Sequence, residues 1–221
     1  MYQAMHSGAW LPPSAWADAD AWDRLIAWIR DHSSSEAFDL RLVVTPQLDS
    51  QLGNPEGLRT LAEGAERQNA RGDGSRQWSA GDGPIIIVWP EEKTVSKWAQ
   101  AVTGLNEQSI VMVEQPVPKL PTFQGWATAV GAYNAGAGKD QQPIAGLDQR
   151  LDEILTWYEN ELASPPRVRP YGASHDVLRG KLQDLAADGY DEDFIVTYAI
   201  GLGYVGSLPL LRRHYAAAQA A

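Results

Sequence analysis

Two carboxylates, Glu91 and Glu114, stand just beyond the two clearest apolar runs of the chain, Ile85 to Trp89 and Ser109 to Val113. A side chain at the end of a buried strand is held by the sheet yet faces outward. A carboxyl there can exchange a proton with a ligand or accept its hydrogen bond. Gln47, after the run Leu40 to Thr45, and Gln115, beside Glu114, would add amide groups to the same crest, and Trp89 a flat stacking surface. Gln47, Trp89, Glu91, Glu114 and Gln115 therefore form the candidate ligand site. Glu91 has a plainer role open to it, as a charge favoured by the dipole at a helix start. Glu114 is balanced between a solvated strand end and a functional carboxylate. Trp78, in the polar, glycine-rich stretch GDGSRQWSAGDG, is a candidate surface contact, with folding back onto the sheet as the alternative.

Other patterns with chemical meaning are weaker. The run Gly201-Leu202-Gly203-Tyr204-Val205-Gly206 spells G-x-G-x-x-G, and IGLGYVGSLPL resembles the opening fingerprint of the nucleotide-sugar dehydrogenases over about a dozen residues. That resemblance implies a dinucleotide pyrophosphate at a helix N-terminus. The following residues supply neither a second strand nor an acidic residue for the ribose, so a turn between two packed helices is the expected role. Gly136-Ala137-Gly138-Lys139-Asp140 looks like a phosphate loop, but Tyr133 replaces its first glycine and Asp140 its magnesium-binding hydroxyl. Arg212, Arg213 and His214 could sit on a DNA-reading helix, yet the neighbouring stretch Asp184 to Asp193 is strongly acidic, and nucleic acid is not expected as a partner. Ser174-His175-Asp176 holds three triad residue types in a row, which cannot form a triad within one helical turn; a capping serine accounts for it better. His6, His32, His175 and His214 lie far apart in sequence, so neither a metal site nor a cofactor is expected.

The elements that would position the crest can be read from periodicity. Gly83-Pro84 and Pro90 bound the first run, and a helix with Val95, Trp98, Ala99 and Val102 on one face leads to the second. Strand, crossover helix, strand is a parallel unit. Before it, residues 1–19 read as an extended lead-in, followed by a helix capped by Asp18 or Asp20 and carrying Trp22, Leu25, Ile26 and Ile29. Leu40 to Thr45 reads as a strand, and a helix from Asn54-Pro55-Glu56 is expected to run to about Arg71. After the strand pair, a helix from Thr122 to about Ala135 precedes a loop at 134–140. From Leu147 the period is helical only, with four helices and a proline-rich stretch from Ser164 to Gly172.

The chain has 221 residues, 21% charged and 44% hydrophobic, with a formal net charge of -10 and no cysteine. An acidic surface repels phosphate backbones and anionic lipid. The amino terminus lacks the pattern of a signal peptide, and no stretch approaches the roughly 18 apolar residues of a membrane span. A cytoplasmic protein is expected. The fold class is α/β, a parallel sheet of three or more strands flanked by helices, with an all-helical subdomain at the C-terminus. The expected division is 1–140 and 141–221. With helix and strand grammar intact and no catalytic set, the expected function is a non-catalytic protein-interaction or regulatory module, acting on a protein partner or as a homo-oligomer. The alternative is a small-ligand or nucleotide-binding protein or enzyme with its site at the C-terminal ends of the strands.

Overall fold

The computed structural model describes residues 2, 4, 6–46, 52, 55–70, 83–102, 109–116, 122–163 and 173–220. In chain order the elements are β1 (Ser7–Leu11), α1 (Ala19–Asp31), α2 (Ser35–Asp39), β2 (Leu42–Thr45), α3 (Glu56–Ala62), β3 (Glu66–Asn69), β4 (Ile85–Val88), α4 (Glu92–Ala101), β5 (Ser109–Val113), α5 (Gln124–Ala129), β6 (Tyr133–Asn134) and β7 (Lys139–Asp140). Four helices follow: α6 (Leu147–Ala163), α7 (Ala173–Ala187), α8 (Glu192–Gly201) and α9 (Leu208–Gln219). The strands form one sheet in the order β3-β2-β4-β5-β1-β6-β7, parallel throughout except for β7, which runs antiparallel to β6. The α/β class and the helical C-terminal region are those read from the sequence.

Alternation along the strands divides the core. Ala9, Leu11, Val43, Ile86, Val88, Val111 and Val113 meet α1 and α3 on one face. Trp10, Leu42, Val44, Ile85, Ile87, Ile110 and Met112 meet α4 and α5 on the other. Both faces are covered, as a parallel sheet requires. Outside the second face, α6 to α9 build a further cluster around Leu151, Ile154, Tyr158, Leu182, Tyr198 and Leu211. The layers interlock: Ala129 of α5 belongs to that outer cluster, while Ile200 of α8 reaches the cluster on the sheet. Helices α5 and α8 approach closely because Gly125 and Gly201 lie at their contact; a Cβ on Gly125 would stand 2.0 Å from the Phe194 carbonyl oxygen.

Four local expectations are corrected. The lead-in contains β1, which lies near the middle of the sheet; its Gly8 and Ala9 carry no β-branched signal, and Gly8 leaves room for the Trp126 ring. The helix expected to reach Arg71 ends at Ala62; Gly64 takes a left-handed φ of 71° and the polar residues Glu66–Asn69 form the edge strand β3. The helix from Thr122 stops at Ala129, with Gly131 at φ 63°, so Tyr133 and Asn134 pair with β1. The loop at 134–140 is the hairpin between β6 and β7. At the start of α1 the cap is Asp18, which accepts a hydrogen bond from the Asp20 N–H.

Candidate functional site

A crevice opens at the crest of a parallel sheet where neighbouring strands send their connections to opposite faces. Two neighbouring pairs do so here. Strand β2 leads into α3 on the first face and β4 into α4 on the second; likewise β1 leads into α1 and β5 into α5. Glu114 sits at the second of these gaps. Its N–H donates to the Leu11 carbonyl at 3.1 Å, continuing the pairing of β5 with β1.

The Glu114 side chain is 4% exposed. Its Oε1 accepts a hydrogen bond from Trp10 Nε1 at 2.5 Å and another from the Phe123 N–H at 3.0 Å. One carboxyl oxygen thus ties β1, β5 and the start of α5. Burial pushes the carboxyl up to about 7, against the opposing pull of the bonds from Phe123 and Trp10, because desolvation penalises the charged form most.

Trp89, directly after β4, is the one non-glycine residue with positive φ among those described, at 53°. Its N–H donates to the Val113 carbonyl at 2.9 Å, so the backbone stays on the ladder. Alternation would send its ring to the second face, opposite Val88. The left-handed turn sends it instead to the first face, where it packs with the α1 and α3 cluster, its indole nitrogen buried without a hydrogen-bond partner. Trp89 and Glu114 therefore terminate adjacent strands while their side chains diverge. Glu91 is the N-cap of α4, its carbonyl accepting from the Val95 N–H at 3.0 Å, and Gln115 is half-buried after Glu114. Gln47 and Trp78 lie outside the described residues. Of the five proposed ligand residues, the structure joins Glu114 and Gln115 by chain adjacency alone.

The other motifs resolve into packing. Gly201 closes α8 against Ala129, Gly203 turns with φ 83°, Gly206 makes room for the Tyr204 ring, and Ser207 caps α9 by accepting from the Leu210 N–H. Arg212 forms ion pairs with Glu92, Glu192 and Asp193, linking α9 to α4 and α8. His214 shares a hydrogen bond with the Tyr158 hydroxyl at 2.9 Å. Gly136 to Asp140 lie in the β6–β7 hairpin. Among the described residues no three metal-ligating side chains gather, and no helix is long and apolar enough to cross a membrane.

Some residues of consequence left no trace in the sequence pattern. Arg41, 6% exposed, donates to the carbonyls of Leu61, Phe38 and Glu63 and closes the C-terminal end of α3. His6 stacks on Trp126 with ring centroids 5.9 Å apart, its Nε2 buried without a hydrogen-bond partner. Desolvation lowers the imidazole to about 4. Tertiary burial, which no local spacing reports, creates both.

Three hollows are described, and none includes Glu114. One of about 490 Å³ lies between α4 and the α8–α9 turn, and one of about 110 Å³ between α7 and α9. The third, about 370 Å³, is a groove between α6 and α7 lined by Ile154, Thr156, Trp157, Val177 and Leu178, with Asp152, Glu153 and Lys181 on its rims. Val177 is 61% exposed there, although it is a large aliphatic side chain on a helix. No family model, curated protein or solved structure matches the chain.

Proposed function

We propose that this protein is a non-catalytic interaction module that docks a protein partner in the groove between α6 and α7. The observation that carries this reading is Val177, 61% exposed beside the half-buried Trp157 at the groove, above the buried Ile154 and Leu178. Apolar surface gathered in a concave strip between helices is a common form of docking site. Glu114, by contrast, spends its hydrogen bonds on Trp10 and Phe123. The absence of cysteine is compatible with action in a reducing cytoplasm.

The test is a photo-activatable cross-linking residue placed at Val177 in the full chain, with exposed Leu40 as the control site. A defined adduct at 177, absent at 40 and lost on Thr156→Arg at the groove, supports the reading. Equal labelling at both sites, or none at either, counts against it.

A second reading, a small ligand at the sheet crest, is favoured by one observation. Glu114 is a buried carboxyl that titrates near neutrality beside the β1–β5 gap, where connections leave to opposite faces. Thermal-shift screening against nucleotides, nicotinamide cofactors and small anions tests it. A concentration-dependent rise that Glu114→Gln abolishes would move the functional site to the crest.

A further inference from the structure

Helix α4 sets Lys93, Ser96, Lys97 and Gln100 at i, i+3, i+4 and i+7, so these four polar residues share one stripe. A stripe of this kind ordinarily faces open water, but here it faces a wall. Gly206, Ser207, Leu208 and Pro209 stand opposite and close the hollow of about 490 Å³, a size within the roughly 300–1,000 Å³ of small-molecule sites.

The charges of this lining leave two cations unanswered. Lys93 and Lys97 are exposed, and neither pairs with a carboxylate among the described residues; Lys97 lies over the Trp98 ring, 5.4 Å from its centroid. Glu92, the one acid of the lining, is bound by Arg212, which holds Glu192 and Asp193 through its Nη1. Gln100 Nε2 donates to Ser96 Oγ at 3.2 Å, which leaves the Ser96 hydroxyl proton free to be given elsewhere. Across the hollow, the Leu210 and Leu211 N–H groups bond to Ser207 and Pro209 has no N–H, so Leu208 keeps the unmet donor of the first turn of α9. The same turn shields a further unmet donor. Tyr204 is 1% exposed, and its hydroxyl, without a hydrogen-bond partner, lies on the side of Gly206 that a Cβ would fill.

We infer that this hollow binds a small molecule bearing a phosphate group, the dianion held between the Lys93 and Lys97 ammonium groups and the start of α9. Two point cations answer its two charges, the Ser96 hydroxyl and the Leu208 N–H supply donors, and Leu208 and Pro209 carry the less polar part of the ligand. A long polyanion would meet the total charge of -10, whereas a small dianion responds to the charges within about 8–10 Å. The site is separate from the α6–α7 groove and from Glu114, and stands or falls without either.

The backbone amide resonances of Ser96, Gln100, Ser207 and Leu208 read its occupancy by NMR. The full chain is titrated with inorganic phosphate and with phenyl phosphate, against sodium chloride at equal ionic strength. Saturating shifts at these four amides are expected with both phosphates and not with chloride, phenyl phosphate binding about threefold or more tightly through its apolar contact. Replacing both lysines, Lys93→Gln with Lys97→Gln, should weaken phosphate about tenfold or more. Both positions are exposed and glutamine is a good helix former, so the fold survives the change. Shifts that chloride reproduces, or saturation that the double variant retains, would overturn the site. Saturating shifts at Gln115 and Phe123 instead, lost in Glu114→Gln, would overturn it in favour of the crest. Phenyl phosphate binding no more tightly than inorganic phosphate would overturn the small-molecule ligand and leave bare phosphate. A glutamate-rich peptide that binds at these lysines while neither phosphate saturates would replace the ligand with an acidic protein partner.

Discussion

Trp10 and Glu114 are joined across the seam between β1 and β5, indole N–H to carboxyl oxygen at 2.5 Å, in a place closed to solvent. The carboxyl is raised from 4.5 to about 7, so between those pH values the folded chain holds a proton that the unfolded chain releases. Stability from this group is full below pH 4.5 and is lost as pH rises through 7. Glu114→Gln keeps an acceptor for Trp10 and Phe123 without the charge. It should be more stable than the parent at pH 8, by roughly 2 kcal/mol. Urea unfolding at pH 5 and pH 8 measures this, and an unchanged difference between the two pH values in the variant would refute the assignment.

His6 has the opposite sign. Its imidazole is lowered to about 4 by burial, so the unfolded chain binds the proton first. Its stability is full above pH 6.5 and is lost as pH falls toward 4. The slopes from His6 and Glu114 therefore oppose each other between about pH 4.5 and 6.5. His6→Phe keeps a ring against Trp126 and should expose the falling slope of Glu114 alone. Proton NMR of the His6 ring should show no imidazolium above about pH 5; titration at the ordinary histidine value would contradict the buried setting.

At Trp89 the left-handed backbone predicts an inversion of the usual apolar preference. Asparagine tolerates φ near 53° and valine does not, so Trp89→Val should be less stable than Trp89→Asn by about 1 kcal/mol, although valine is the more hydrophobic. Thermal melts of the two variants decide it, and a more stable valine variant would mean that the backbone relaxes.

Three glycines predict opposite outcomes for the same substitution. Gly125→Ala places a Cβ 2.0 Å from the Phe194 carbonyl oxygen and Gly201→Ala one 2.6 Å from the Ala129 Cβ, so each should destabilise by about 1–3 kcal/mol through the α5–α8 contact. Gly180, inside α7 with nothing within 4 Å of its added Cβ, should gain about 0.5–1 kcal/mol as alanine. Denaturant midpoints for the three variants give the comparison. A stable Gly125→Ala would show that the two helices can separate without loss.

The central strands and the four C-terminal helices were legible because their burial is periodic: Ile85 to Val88 is apolar throughout, and Leu151, Ile154, Leu155 and Tyr158 keep helical spacing. Strand β1 was not, because Gly8 is chosen for the space it leaves to Trp126 rather than for strand propensity. Strand β3 was not, because an edge strand with polar side chains has no hydrophobic alternation to read. Glu114 was marked by its place after β5; that Trp10, 104 residues away, would hold its carboxyl followed only from the pairing of β1 with β5. The divergence of Trp89 from Glu114 could not be foreseen either, since it depends on a single backbone angle.

The two margins of the sheet bear on the protein's behaviour at high concentration. Among the described residues one is β3, Glu-Arg-Gln-Asn, and the other is β7, only Lys139 and Asp140. An exposed strand margin recruits other strands when it is long, flat and apolar; charge and brevity discourage that recruitment. Growth of this protein into sheet-based fibres should therefore start from unfolded chain carrying the Ile85 to Val88 run, not from folded molecules adding edge to edge.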